Sequence, residues 1–162
     1  MSSSASESPV GADVQCRLST ADPLRRRKAV LCEIPAPPPS KAKAILLFGH
    51  GAKNPEWAAP FVAIRDAILT RDSSTLVESG FLELMHPSFD EAVDLLVARG
   101  ATEIVVVPVF MAAGMHVSKD LPRLAAQAMD RHANLEIALA PPVGAAPEVI
   151  TAMADYALSA WR

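Results

Sequence analysis

Cysteine is scarce in this sequence, and both cysteines, Cys16 and Cys32, lie before the first predicted strand. Two cysteines in these positions do not indicate a disulfide scaffold, so a reducing compartment is expected. No apolar run reaches the roughly 18 to 20 residues that a membrane-spanning helix needs, and no apolar stretch follows the N-terminus as it does in secretory signals. The sequence therefore predicts a cytoplasmic protein that does not act at a membrane.

The short motifs of several common enzyme classes are also missing. The sequence has no GxxxxGK[ST] phosphate loop, no GxGxxG after a strand, no CxxC and no HExxH. Nucleotide, dithiol redox and zinc-protease sites therefore lack their minimal residues, and without a GxSxG elbow nothing supports a serine hydrolase. We expect an activity that uses no nucleotide.

Acidic residues outnumber lysine and arginine over most of the chain. Residues 1–43 hold seven Lys and Arg against four Asp and Glu, whereas residues 44–162 hold eight against fourteen. An acidic body does not suit a nucleic-acid surface. The first segment is rich in Ser, contains a basic cluster at Arg25 to Lys28 and ends in a Pro-rich stretch, which predicts an irregular, poorly ordered tail over residues 1–43. A single domain is predicted over residues 44–162.

Strand and helix patterns alternate through that domain. Apolar or β-branched runs predict strands at residues 44–49, 75–84, 103–109 and 135–139. Helical spacing and capping residues predict helices from about Asn54 to Arg71, Ser88 to Ala98, Ser118 to Arg131 and Pro147 to about Trp161. Four repeats of strand then helix predict an α/β domain with a four-stranded parallel sheet and helices on both faces.

Three residues with metal-binding side chains follow successive predicted strands. His50 stands between two glycines after the first strand, Glu83 lies near the end of the second, and His116 comes after the third. The carboxyl ends of parallel strands meet at one edge, where ligands bind. Two imidazoles and a carboxylate suit Co²⁺, Fe²⁺ or Ni²⁺, and neutral imidazole also accepts protons. His50, Glu83 and His116 are therefore candidate catalytic residues, with His50 and His116 as metal ligands; for His50 alone, an ordinary turn histidine is the alternative.

The residues around these three suggest a flat apolar ligand that carries acidic groups. Met111 and Met115 can supply adaptable apolar surface, while Lys53 and Lys119 can meet carboxylates. The alternatives are an ordinary core position for the methionines and a solvated face for the lysines. We take all four as candidate ligand-binding residues.

Three motifs in register resemble the CbiX/SirB family of sirohydrochlorin chelatases, the small single-domain class II chelatases. The resemblance covers about residues 44–160. It is carried by Phe48-Gly49-His50-Gly51, by Phe81-Leu82-Glu83-Leu84 with Pro87-Ser88, and by Val105 to Phe110 leading to Gly114-Met115-His116-Val117.

The resemblance implies a chelatase fold and an ATP-independent lyase that inserts Co²⁺ or Fe²⁺ into the tetrapyrrole sirohydrochlorin, in cobalamin or sirohaem biosynthesis. It implies that His50 and His116 hold the metal and help to remove the pyrrole protons, that Glu83 is their acidic partner, and that the protein acts as a homodimer. One departure is Ala52, where the family commonly has Ser, so a hydroxyl contact is lost there.

Two other functions are compatible with the same residues. A metal or tetrapyrrole carrier would use the histidines without turnover. A flavodoxin-like domain would instead offer its acidic surface to an interaction partner, and its histidines would bind no metal.

Overall fold

The protein was analysed as a computed structural model that describes residues 42–114 and 116–161, without the side chains of His116 and Val117. Its strands are β1 (Lys43–Gly49), β2 (Leu76–Phe81), β3 (Glu103–Pro108) and β4 (Glu136–Leu139). Its α-helices are α1 (Ala59–Arg71), α2 (Phe89–Ala98), α3 (Leu121–Arg131) and α4 (Pro147–Ala160). Residues 1–41 of the predicted tail lie outside the described residues, so the tail stays a prediction.

The four strands form one parallel sheet in the order β2-β1-β3-β4. β1 lies in the middle, with Ala44 level with Leu76 on one side and Ile104 on the other. β3 continues outward to β4, where Ile104 is level with Ile137. The parallel α/β sheet predicted from the sequence is confirmed.

Side chains of the sheet alternate between two apolar layers. On one face, Leu46, Phe48 and the β3 side chains Ile104 and Val106 pack against α2 and α3 and are fully buried. On the other face, residues of β1 and β2 pack against α1. Burying a side chain of this size contributes about 1.5–3 kcal/mol, so the two layers account for the stability of the sheet. Because these layers occupy the faces of the sheet, a functional site is expected at the ends of the strands.

Local hydrogen bonds set the start of α2, and the residues that make them were predicted from the sequence. The Ser88 hydroxyl accepts from the Glu91 N–H, and the Glu91 carboxylate accepts from the Ser88 N–H, so α2 begins with a complete capping box. Two other helices differ from the prediction, because a 3₁₀ turn (Pro55–Ala58) precedes α1 and a π-helical turn (His116–Asp120) precedes α3.

The second strand is shorter than predicted, ending at Phe81 rather than Leu84. The N–H of Phe81 donates to the carbonyl of Pro87, so the chain returns to the outer edge of β2 within a few residues. Leu84 has a φ of 64°, which no strand accommodates. Glu83 therefore lies on a loop rather than in the strand. Separately, none of the described helices is both long and apolar enough to cross a bilayer.

Candidate functional site

His50 and Glu83 are neighbours because the β1–β2 pairing continues past the ends of the two strands. Gly49 is level with Phe81 at the last ladder position. Beyond it, Leu82 N–H donates to the Gly49 carbonyl at 2.9 Å and Glu83 N–H donates to the His50 carbonyl at 3.0 Å. Two parallel segments joined in this way bring the two residues that follow the strands side by side.

The side chains of this pair are in contact. His50 Nε2 lies 3.2 Å from Glu83 Oε1, and the side chains are 39% and 55% exposed. A carboxylate at this distance orients an imidazole ring and stabilises positive charge on it after proton uptake. Because solvent reaches both groups, a ligand approaching the carboxyl edge of the sheet can reach them too.

The two glycines beside His50 make room for parts of the protein itself. Gly51 has a φ of 92°, and a Cβ there would overlap the carbonyl oxygen of Glu83. At Gly49 a Cβ would overlap the ring of Phe61. These glycines therefore let α1 and the Glu83 loop pack against the end of β1.

The other predicted site residues are placed less completely. Met115 and the side chain of His116 lie outside the described residues, although the backbone of His116 opens the π-helical turn after β3. Lys53 and Lys119 are exposed, and Met111 is 58% exposed rather than part of the core. Among the described side chains, which do not include that of His116, no three His, Cys, Asp or Glu residues come together in metal-binding geometry. The described part of the site is therefore the His50–Glu83 pair.

A groove of about 360 Å³ at the same edge contains residues that sequence reasoning passed over. Trp57 is 48% exposed and Phe61 lies beneath it, with ring centroids 6.4 Å apart. Val109, directly after β3, also lines this groove. The sequence did contain a signal for this groove, because Trp57 comes seven residues after His50, in the turn that follows it. Its half-exposed indole offers an apolar, aromatic surface for a flat ligand.

A larger groove, of about 720 Å³, runs along α2 and the outer edge of β2. It contains a second His–Glu pair, in which His86 Nδ1 lies 2.8 Å from Glu91 Oε2. That pair belongs to the α2 cap, and the acidic residues Glu78 and Asp94 line the same groove. This His–Glu pair stabilises the start of α2. The smaller groove at the carboxyl edge is therefore the better candidate for ligand binding.

The sequence profile of the CbiX family matches residues 44–160, which include the four α-helices and all of the four strands except Lys43 at the start of β1. The chain belongs to the CbiX family.

Two solved structures resemble this CbiX domain. The CbiX protein from Marinobacter aquaeolei VT8 matches with a TM-score of 0.64 and 28% identity, over 74% of this chain and 97% of that one. The sirohydrochlorin chelatase SirB from Bacillus subtilis subspecies spizizenii, solved in complex with cobalt, matches with a TM-score of 0.62 and 30% identity, over 70% of this chain and 48% of that one. The parallel sheet is thus a chelatase-type fold.

A curated relative agrees with this assignment. The sirohydrochlorin cobaltochelatase of Methanosarcina barkeri is 40% identical over 80 residues, which are 49% of this chain and 62% of that protein. The CbiX domain described here therefore matches somewhat less than two thirds of the relative's length.

Proposed function

We propose that this protein is an ATP-independent chelatase that inserts Co²⁺, or alternatively Fe²⁺ or Ni²⁺, into sirohydrochlorin, as a step of cobalamin or sirohaem biosynthesis. The observation that carries the proposal is the His50–Glu83 contact at the carboxyl edge of a CbiX domain. The Methanosarcina barkeri relative and the cobalt-bound SirB structure support the same reaction class.

The spacing of the pair suits two ligands of one divalent ion. Metal bonds to imidazole nitrogen and carboxylate oxygen are each about 2.1 Å long, so two such ligands at a right angle lie about 3 Å apart. His50 Nε2 and Glu83 Oε1 are 3.2 Å apart. The ion can therefore replace the proton between them without a large rearrangement, and His116 is the proposed second imidazole.

The reaction needs a base as well as a metal site. A divalent ion enters the macrocycle as two pyrrole N–H protons leave, and the ion exchanges bound water for pyrrole nitrogens. As the ion leaves His50 Nε2 and the other imidazole for the pyrrole nitrogens, His50 is proposed to accept one pyrrole proton and His116 the other, and the Glu83 carboxylate stabilises the imidazolium that forms at His50. An open site of few ligands releases the metal readily, whereas a closed tetrahedral site would retain it.

The residues around the pair suit an acidic, flat substrate. Lys53 and Lys119 are exposed cations that can meet the carboxylates of sirohydrochlorin. Met111 and the indole of Trp57 offer exposed apolar surface at the same edge. We propose that Lys53, Lys119, Met111 and Met115 line the substrate, with Trp57 added to this set.

A second copy of the chain is part of the proposal. The SirB chain is about twice as long as its matched part, whereas the Marinobacter protein is matched over almost its whole length. A homodimer of this chain would supply two such domains. We place it in the cytoplasm because its two cysteines do not indicate disulfides.

An anaerobic optical assay of sirohydrochlorin with Co²⁺, and separately with Fe²⁺ and Ni²⁺, tests the proposed chelatase. Wild-type protein is expected to accelerate metal insertion over the reaction without enzyme. His50→Ala and Glu83→Gln are expected to lose at least about 100-fold of that rate, because a positioned base contributes on the order of 10²–10⁴.

The chain offers a matched control in the other His–Glu pair. His86→Ala and Glu91→Gln break a contact of the same type at the cap of α2, so they should leave the rate of metal insertion unchanged. If folded wild-type protein binds the tetrapyrrole but does not accelerate metal insertion, the protein is a carrier rather than a chelatase. Metal binding unaffected by His50→Ala would remove His50 from the site.

A further inference from the structure

Leu84, which directly follows Glu83, combines a strained backbone with an exposed apolar side chain. Its φ of 64° lies in the left-handed region, and among the residues that the structure describes no other residue except glycine has a positive φ. Leucine lacks the short polar side chain with which asparagine or aspartate stabilises this conformation. The side chain is 58% exposed, so packing within the described chain does not offset the strain. Strained residues of this kind cluster at functional sites.

The contacts on either side of Leu84 hold the chain in this conformation. The Glu83 N–H donates to the His50 carbonyl at 3.0 Å. Half-buried Leu82 packs against the apolar layer on the α2–α3 side, and half-buried Met85 packs against the layer on the α1 side. The chain therefore crosses the end of the sheet between these two anchors, with Glu83 and Leu84 exposed at the crossing. The surrounding structure thus fixes the Leu84 backbone and keeps its side chain at the carboxyl edge.

Two other large apolar side chains are exposed at the same edge. Trp57 lies after β1 and is 48% exposed, and Met111 lies after β3 and is 58% exposed. Because β2, β1 and β3 are neighbours in the sheet, the segments that follow three adjacent strands each present one such side chain. The His50–Glu83 pair belongs to the same edge. Exposed apolar side chains around a polar pair are typical of a small-molecule site.

We propose that Leu84 contacts the apolar face of the tetrapyrrole and holds it against the His50–Glu83 pair. This contact rests on the proposed chelatase function and adds a residue that determines substrate affinity. A flat macrocycle whose nitrogens reach Glu83 also extends over the next residue, because its rings spread for several Å around those nitrogens. Burial of the leucine under the macrocycle then supplies the stabilisation that the free protein lacks. Because the backbone is already fixed, the contact costs little conformational entropy.

A second copy of the chain is the other surface that this side chain could contact. The macrocycle is favoured because the same loop supplies Glu83, whose carboxylate has to stay accessible to the metal and the pyrrole nitrogens. The Glu83 side chain is 55% exposed, and Leu84 beside it is 58% exposed. A protein surface packed on Leu84 would reduce that access. The observations therefore favour a ligand that enters and leaves with each turnover.

Binding of metal-free sirohydrochlorin, followed anaerobically by its absorption spectrum, tests this contact without requiring metal insertion. Leu84→Asn replaces the apolar side chain with a polar one of similar size that tolerates a positive φ. It should raise the Kd at least about tenfold, because the macrocycle would bury an amide without a hydrogen-bond partner. The midpoint of urea unfolding should stay the same or rise, because the strain is relieved. Leu84→Met keeps an apolar side chain and should bind with the wild-type Kd.

Leu95→Asn is the matched control, because Leu95 is a leucine of similar exposure, 48%, in the larger groove along α2. It should leave the Kd for sirohydrochlorin unchanged. Wild-type affinity in Leu84→Asn, or equal losses of affinity in the two variants, would overturn the contact and leave the chelatase standing. A lower urea midpoint in Leu84→Asn would show that the side chain supports the loop instead of the ligand.

Light scattering of the same variants separates the macrocycle from a second copy of the chain. If Leu84→Asn changes the mass of the protein but not the Kd for sirohydrochlorin, Leu84 contacts a second copy and the proposal is wrong. Binding that depends on Leu84 in a protein that inserts no metal would defeat the chelatase and leave the contact standing. Wild-type protein that binds no sirohydrochlorin would overturn both.

Discussion

Gly51 lies between the histidine of the candidate site and the backbone of the glutamate that contacts it. Its φ of 92° is in the left-handed region, and its missing Cβ leaves space that the Glu83 carbonyl occupies. The neighbouring Glu83 N–H donates to the His50 carbonyl. A side chain at Gly51 would therefore displace the same loop that holds the His50–Glu83 contact.

Gly51→Ala is expected to lower both stability and the proposed chelatase rate. An alanine at positive φ costs about 1 kcal/mol, and forcing a methyl group into occupied space adds about 1–3 kcal/mol. Unfolding in urea measures the loss of stability, and the sirohydrochlorin assay measures the loss of the chelatase rate. We expect a loss of about 2–4 kcal/mol together with a reduced rate.

Gly100→Ala is the matched control for this variant. Gly100 has a φ of 95°, but no atom of the described residues, apart from its own and those of its chain neighbours, lies within 4 Å of where its Cβ would be. It should cost about 1 kcal/mol, the backbone cost alone, with the chelatase rate unchanged. Equal losses in the two variants would show that the Glu83 loop does not depend on Gly51.

The first turn of α2 depends on one carboxylate. Glu91 accepts from the Ser88 N–H at 2.7 Å and contacts His86 Nδ1 at 2.8 Å. The hydrogen bond to His86, followed by those to Ser88, lowers the pKa of Glu91 from an ordinary 4.5 to about 2. Because the folded pKa lies below the unfolded one, the carboxylate stabilises the protein above about pH 4.5, and this stabilisation is lost as the pH falls toward 2.

Glu91→Gln should therefore reduce the pH dependence of the free energy of unfolding in acid. Wild-type protein is expected to lose stability between pH 4.5 and 2, while the variant, less stable at neutral pH, should lose less over the same interval. Urea unfolding at a series of pH values measures both. Asp72, whose pKa is also lowered to about 2 by hydrogen bonds from Ser74 and Thr75, is present in both proteins, so their difference isolates Glu91.

Glu148→Gln removes the same charge from the first turn of α4 and serves as the control. Glu148 is not part of a capping box, so this variant should follow the wild-type pH profile. Parallel profiles for wild type and Glu91→Gln would show that the cap contributes nothing through its ionisation.

The α2 cap also shows what the sequence could predict. Ser88 and Glu91 are three residues apart, and that local spacing was enough to place the start of α2. The end of β2 was not predictable, because it depends on Pro87 returning to the strand edge. Likewise, strand ends predicted that His50 and Glu83 share an edge, but their 3.2 Å contact depends on how two loops pair beyond the strands.

The position of α4 shows a second limit. Helical spacing predicted a helix from Pro147, which is confirmed. Periodicity does not say which surface receives an apolar stripe, since that depends on the path of the preceding connection. The sequence alone thus predicted four helices around a sheet. Within the described chain, however, Val105 on the α1 side of β3 is only half-buried, Ala138 of β4 is exposed, and α4 buries none of its residues.

Over the described part of the chain, which begins at Ala42, two apolar layers are already formed. All of their buried members lie between Ala44 and Leu135. The four described strands of the sheet lie between Lys43 and Leu139. Because packing within these layers supplies hydrophobic stabilisation, we expect the fold to form without residues 1–40.

Deleting residues 1–40 is therefore expected to leave the fold and its stability unchanged. The shortened and full-length proteins should unfold cooperatively with Tm values within about 2 °C, which corresponds to less than about 1 kcal/mol for a domain of this size. Differential scanning calorimetry at equal protein concentration measures this, since a dimer makes Tm depend on concentration. A shortened chain that no longer unfolds cooperatively would show that the first segment contributes to the core.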